Sequence, residues 1–323
     1  MLSTLVGGVE LGGTKIVCAV APAGSPTLHD ERVIPTTSPD ETLTEVASFF
    51  SSYAERLTSL GIASFGPLEL DRSSPNFGSI TSTPKAGWSG VNVRARLQRA
   101  LAVPVSIHTE VIGAAIAEYK WGAAQHSSLM VYLTVGTGIG GAALFQGVPV
   151  QGAAHAEMGH VRVERHSLDA FDGVCPFHRD CLEGLASAPA IEARWGRSAR
   201  DLPDEHRAWE IEAHYVGTAL SNLVLTLAPE RIVVGGGVLH RAGLLERVHG
   251  VVRHRLNGYL AHPVFRERLN ETIVAPMLGD RSGVLGALCL ATEFSPHEQG
   301  AASSSQEDGN AQTSGSTPPR SRA

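Results

Sequence analysis

Two carboxylates bracket four soft donors in one stretch of this chain, Glu157-Met-Gly-His160 followed by Cys175-Pro-Phe-His178-Arg-Asp-Cys181-Leu-Glu183. Two thiolates and two imidazoles are the donor set of a closed, tetrahedral structural zinc site. Cys175, His178 and Cys181 share one seven-residue run, short enough for a single loop to wrap an ion. His160 is expected to close the shell from a preceding strand, and His155 competes for that fourth place. Ion binding adds to folding free energy, so it would pin a loop that buries no core of its own. Glu157 and Glu183 would then leave opposite ends of the pinned loop and point into one pocket. Carboxylates only accept hydrogen bonds, which suits the hydroxyl donors of a neutral polyol. The pattern reads as a metal-stapled sugar cradle. The other two cysteines, Cys18 and Cys289, lie in apolar runs and are expected to be buried and inert.

Three glycine-rich turns supply a different chemistry. Gly12-Gly13-Thr14-Lys15 joins two apolar runs, at 5–11 and 15–20, in a turn too short for a helix. Adjacent glycines let the backbone approach a ligand, and Thr14 and Lys15 add a hydroxyl and a cation. An ordinary hairpin would use the same glycines. Gly136-Thr137-Gly138-Ile-Gly-Gly repeats the strand–turn–strand logic between 129–135 and 142–145. It differs from the dinucleotide fingerprint because these glycines join two strands and do not open a helix. Backbone amides here would pack around a polyphosphate, with Thr137 as hydroxyl partner. Gly235-Gly236-Gly237 ends a buried strand where a flat ring could slide against backbone. Between the first two turns, Thr109 and Glu110 stand where a strand at 105–108 meets a small-residue helix. Glu110 reads either as a helix cap or as a general base at the C-terminal edge of a sheet.

The elements that must carry these residues follow from periodicity. Strands are expected at 32–36, 59–65 and 272–275 besides those above. Helices are expected from Pro39, and at 91–101, 185–195, 209–227 and 282–292, the last rich in Gly283, Gly286 and Ala287. Residues 73–88 form a long polar loop that is expected to cover one side of the pocket. A chain of 323 residues, 43% hydrophobic, can bury a sizeable core and divide into two lobes. Its net charge of −6 and the lack of a basic patch argue against nucleic acid and anionic membrane as partners. No signal segment or membrane span is visible, and four cysteines suggest no disulfide framework. A cytoplasmic location is therefore expected. From about Ser295 the chain turns Ser-, Gln-, Gly- and Pro-rich and is expected to be disordered.

Together these motifs resemble the actin-like ATPase (ribonuclease H-like) fold. More closely they resemble the repressor/open-reading-frame/kinase (ROK) family, in its fructokinase branch. The resemblance rests on Glu10-Leu-Gly-Gly-Thr-Lys15, Ser64-Phe-Gly-Pro67, Thr83-Pro-Lys-Ala-Gly-Trp88, Gly136-Thr-Gly-Ile-Gly140, His155-Ala-Glu-Met-Gly-His160, Cys175-Pro-Phe-His178, Cys181-Leu-Glu-Gly-Leu-Ala-Ser187 and Gly235-Gly-Gly-Val238. It implies two lobes, 1–112 and 113–281, with helix 282–294 returning to complete the first and hinge a cleft. It also implies that His160, not His155, ligates the zinc ion while facing the sugar. Glu157, Glu183 and Thr109 fall on the sugar side. Gly12, Gly13, Thr14, Lys15, Gly136, Thr137 and Gly138 fall on the phosphates of ATP with Mg²⁺, and the last glycine turn falls on its adenosine. The implied reaction is phosphorylation of a hexose, D-fructose in this branch, by a chain that pairs as a homodimer. Glu110 takes the place of the family's catalytic aspartate, and Ile112 that of its usual asparagine. That departure allows slower turnover, about 10²-fold for a shift of about 1 Å. It also opens the alternative of a silent sugar sensor, or of a kinase for glucose or mannose. A DNA-binding regulator is not expected, since the first strand begins near residue 5.

Overall fold

The apolar run Leu5–Leu11 is buried along nearly its whole length and forms the central strand of a five-stranded sheet. The structure is a computed structural model that describes residues 4–293; the tail expected to be disordered lies outside the described residues. The first sheet consists of β1 (Leu5–Leu11), β2 (Lys15–Pro22), β3 (Asp30–Pro35), β4 (Leu57–Ser64) and β5 (Val105–Thr109), in the order β3-β2-β1-β4-β5. Helices α1 (Pro39–Ser51) and α2 (Val93–Leu101) pack against it. In α1, Ser38 caps the N-terminus, Pro39 occupies the first turn, and Leu43, Val46, Phe49 and Phe50 are buried.

Helix α3 (Glu110–Trp121) leads to a second sheet of the same design. Its strands are β6 (Leu129–Val135), β7 (Ile139–Phe145), β8 (Val148–Pro149), β9 (Arg231–Gly235) and β10 (Ile273–Val274), in the order β10-β9-β6-β7-β8. Reversed, that order repeats the first sheet strand for strand: two antiparallel pairings on one side, parallel pairings on the other. Helices α4 (Leu182–Ala186), α5 (Ala188–Trp195), α6 (Ala208–Leu227), α7 (Leu244–Leu256), α8 (Pro263–Arg266) and α9 (Leu269–Thr272) belong to this half. The single helix expected at 185–195 is two helices broken at Ser187. Pro189 cannot donate to a continuing helix, and Ser187 Oγ accepts from Ala190 N at 3.4 Å to start α5 afresh. Among the described residues no helix is long and apolar enough to cross a membrane.

Helix α10 (Ser282–Glu293) returns to the first sheet, where Ser59 Oγ donates to Ala291 O at 2.8 Å. It crosses α3 so closely that a Cβ on Gly286 would lie 2.0 Å from Gly113 O. Only glycine fits there. Glu118 fastens the same crossing. Its buried carboxylate accepts from Ala123 N (2.7 Å), Met277 N (3.1 Å), Leu278 N (3.0 Å) and Ser282 Oγ (2.7 Å). Glu118→Gln would turn an amide NH₂ toward these donors. We expect it to cost about 3 kcal/mol of stability, because buried donors lose a charged acceptor. The midpoint of urea unfolding, with an unchanged slope, measures that loss.

Candidate functional site

The turns expected to hold phosphate sit at corresponding ends of the two sheets. Gly12 N donates to Lys15 O at 3.1 Å, which closes the β1–β2 turn and leaves Gly13, Thr14 and Lys15 exposed. The long loop at 73–88 reaches this turn: Trp88 is fully buried and donates from Nε1 to Thr37 O at 3.0 Å, while Lys85 Nζ hydrogen-bonds Gly13 O. In the second half, Gly136 N donates to Gly138 O at 2.9 Å, and Thr137 and Gly138 are exposed. Gly237 N lies 3.9 Å from where a Gly136 Cβ would stand, so the second and third glycine turns adjoin. Gly236 has a φ of +92°, and a Cβ there would lie 2.3 Å from Val135 O. A pocket of about 380 Å³ opens beside Gly237, with Arg200, Trp209, His240 and Arg241 in its wall. Sequence reasoning missed these four, because they come from three separate places: the α5–α6 connection (Arg200), the first turn of α6 (Trp209) and the segment before α7 (His240 and Arg241).

Glu110 is the first residue of α3, at the C-terminal end of β5. Thr109 is the N-cap residue, yet its Oγ1 is buried and makes no hydrogen bond among the described residues. Ile112, three residues on, offers no side-chain acceptor and is buried in the core with Ala63 and Ala115. Burial raises the pKa of Glu110 to about 7, helped by the negative charges of Glu157 and Glu10 and opposed by a backbone hydrogen bond. Glu10 is raised to about 7 as well, chiefly by burial, against the pull of Lys15. Its carboxyl lies against Gly283, in the first turn of α10. Glu10 belongs to the first glycine motif, but the motif gave no sign that its side chain would share a field with Glu110.

His160, Cys175, His178 and Cys181 come together, with one ligand atom from each lying within 4.8 Å of the others. Nδ1 of His160 is 3.7 Å from Cys175 Sγ and 3.5 Å from Cys181 Sγ, and Nδ1 of His178 is 3.7 Å from Cys175 Sγ. His160 does not stand on a strand, as was expected. It ends a single 3₁₀ turn, Met158–His160, because Gly159 is pressed edge-on to β7, where a Cβ would lie 1.7 Å from Ile139 O. His155 is not in the cluster. Its Nε2 accepts from Leu68 N at 3.2 Å, so Nδ1 carries the proton and faces Glu157 Oε1 at 3.3 Å. The histidine thus ties Glu157 to the cis Gly66-Pro67 turn of the first half. At the other end of the loop, Glu183 Oε2 accepts from Ile139 N at 2.9 Å, directly behind Gly138. The loop is anchored below by the buried pair Arg194–Asp169 (3.1 Å), with Tyr215 Oη donating to Asp169 at 2.6 Å.

Two like-built halves with glycine turns, and a carboxylate where they meet, define the actin-like class of phosphoryl-transfer folds. The model of the ROK family matches residues 6–294, and the chain belongs to that family. It is 45% identical over 294 residues to the fructokinase of Zymomonas mobilis, covering 89% of this chain and 96% of the relative. It is 38% identical over 268 residues to the fructokinase of Lactococcus lactis, covering 83% and 90%. Among solved structures it resembles the ROK hexokinase from Thermus thermophilus, with a TM-score of 0.72, 29% identity and coverage of 89% and 98%.

Proposed function

We propose that this chain transfers the γ-phosphoryl group of ATP to D-fructose, giving fructose 6-phosphate and ADP. The observation that carries the chemistry is Glu110, a carboxyl held near neutrality at the junction of the halves, beside Glu157 and Glu10. A general base works best when its pKa lies near the operating pH. The choice of sugar is supported by relatives of 38% and 45% identity that are fructokinases.

In this reading the lobes divide near residue 112 and close over the sugar. Glu157, His160 and Glu183 grip its hydroxyls, with Thr109 next to them. Glu110 takes the proton as the hydroxyl oxygen bonds to the γ-phosphorus and the bond to the β-phosphate oxygen breaks. Lys15 and the turns Gly12-Gly13 and Gly136-Thr137-Gly138 face the phosphates, with the Gly12 and Gly136 amides closing those turns; Thr14 and Thr137 add hydroxyls, and Gly235, Gly236 and Gly237 line the adenosine side. Mg²⁺ arriving with the nucleotide would neutralise phosphate charge. The four-donor cluster fits zinc: bond lengths of about 2.3 Å to sulfur and 2.05 Å to nitrogen give tetrahedral S···N edges of about 3.6 Å. Three of the four S–N separations, Cys175–His160, Cys175–His178 and Cys181–His160, are 3.5 to 3.7 Å. With no vacant ligand position, the ion would be structural. Two such chains pair as a homodimer in this reading.

A coupled assay of ADP release, run with fructose, glucose and mannose at high enzyme concentration, tests the reading. Fructose is expected to show the highest kcat/KM. No turnover with any hexose would overturn the kinase, and a preference for glucose or mannose would overturn the substrate.

A further inference from the structure

We propose that a second ligand site, lined by none of the residues assigned to sugar or nucleotide, lies behind β5 and takes a phosphorylated monosaccharide. A cavity of about 730 Å³ opens there, between β5 and α2 on one side and β8 with Gln151 on the other. That is within the range of small-molecule pockets, roughly 300–1,000 Å³. None of Glu110, Glu157, His160 or Glu183 lines it. Two guanidiniums do, those of Arg72 and Arg94, and no aspartate or glutamate is among its lining residues. Arg94 is held in the wall: its Nε donates to Val105 O at 2.8 Å and its guanidinium lies 5.1 Å from the centre of the Phe77 ring. Its pKa is lowered first by burial and then by the charge of Arg72. Both guanidiniums stay charged and present N–H donors that a bound anion can accept from. Guanidinium forks match phosphate oxygens in pairs.

The rest of the lining is neutral. His108 Nδ1 accepts from Thr109 N at 2.9 Å, and its Nε2 lies 2.8 Å from Gln151 Nε2. Burial, the largest cause, holds its pKa down at about 4, so the ring stays neutral. Gln98 adds a second amide to the wall. Amides and a neutral imidazole beside apolar surface suit the hydroxyls and C–H faces of a sugar body. A charged phosphate on a neutral polyol satisfies both ends of the cavity.

Isothermal titration of full-length protein, its cleft first saturated with fructose, Mg²⁺ and a non-hydrolysable ATP analogue, tests this with glucose 6-phosphate and, separately, inorganic phosphate. The expected result is one equivalent of glucose 6-phosphate per chain, bound at least tenfold more tightly than phosphate. Arg94→Gln should weaken it tenfold or more. Gln98→Glu, an exposed change that places a negative charge at the rim, should weaken it about fivefold. Both variants should keep a fructose kcat/KM within twofold, and Gln98→Glu, which breaks no side-chain hydrogen bond among the described residues, should also keep the wild-type melting temperature. No binding by the saturated protein would overturn the proposal, as would affinity that Gln98→Glu leaves unchanged. Phosphate binding as tightly as the ester would overturn the assignment to a sugar.

Discussion

Replacing Glu110 by glutamine lowers kcat for fructose phosphorylation by about 10²–10⁴-fold, the usual contribution of a general base, while the KM for fructose changes little. Glutamine keeps the shape and loses the proton acceptor. In the wild type, kcat/KM should rise with pH through an inflection near 7, since burial and the charges of Glu157 and Glu10 hold Glu110 at about 7. At pH 6 roughly one molecule in ten carries the ionised base. A rate independent of pH from 5 to 8, or a variant as fast as wild type, would remove Glu110 from this role. Glu110→Asp, which restores the residue implied by the family resemblance, should raise kcat by up to about 10² if reach is the limitation. Stability carries the opposite sign. Glu110 and Glu10 both have folded pKa values of about 7, above the ordinary 4.5. Folding therefore favours their protonated forms, and the free protein loses stability as pH rises from about 4.5 to about 7.

Cys181→Ala should remove about one equivalent of zinc per chain and lower fructose kcat/KM by roughly 10²-fold or more. The sulfur is fully buried and faces His160 Nδ1 at 3.5 Å, so no water can take its place easily. Without the ion, the turn that carries Glu157 and the start of α4 that carries Glu183 lose their common anchor. A displacement of about 1 Å at such residues is enough for that loss. Metal analysis by mass spectrometry beside steady-state kinetics decides the matter. Cys18→Ala should retain the zinc, because Cys18 lies within β2 and burial pushes its thiol up to about 12. Full zinc and full activity in Cys181→Ala would contradict the structural role.

Local patterns made much of this architecture legible. Apolar runs marked the long strands, glycine pairs marked the turns, and the spacing Cys175, His178, Cys181 marked a loop able to converge on one point. What stayed hidden depends on contacts distant in sequence. Nothing near His155 shows that its ring meets Leu68 and so serves Glu157 instead of the cluster. The 3₁₀ turn at His160 is imposed by Ile139, on another strand. The break at Ser187 was readable in Pro189, but the apolar residues on both sides masked it. Lys85 meeting Gly13, and Arg72 and Arg94 lining one cavity, are products of the fold alone.

Glu183 belongs to two structures at once: it starts the helix after Cys181, and it accepts the amide of Ile139 beneath Gly138. Whatever steadies one partner steadies the other, and such coupling is reciprocal. ATP analogues should therefore slow the stripping of zinc by a chelator, and the metal-depleted protein should hold nucleotide more weakly by the same factor.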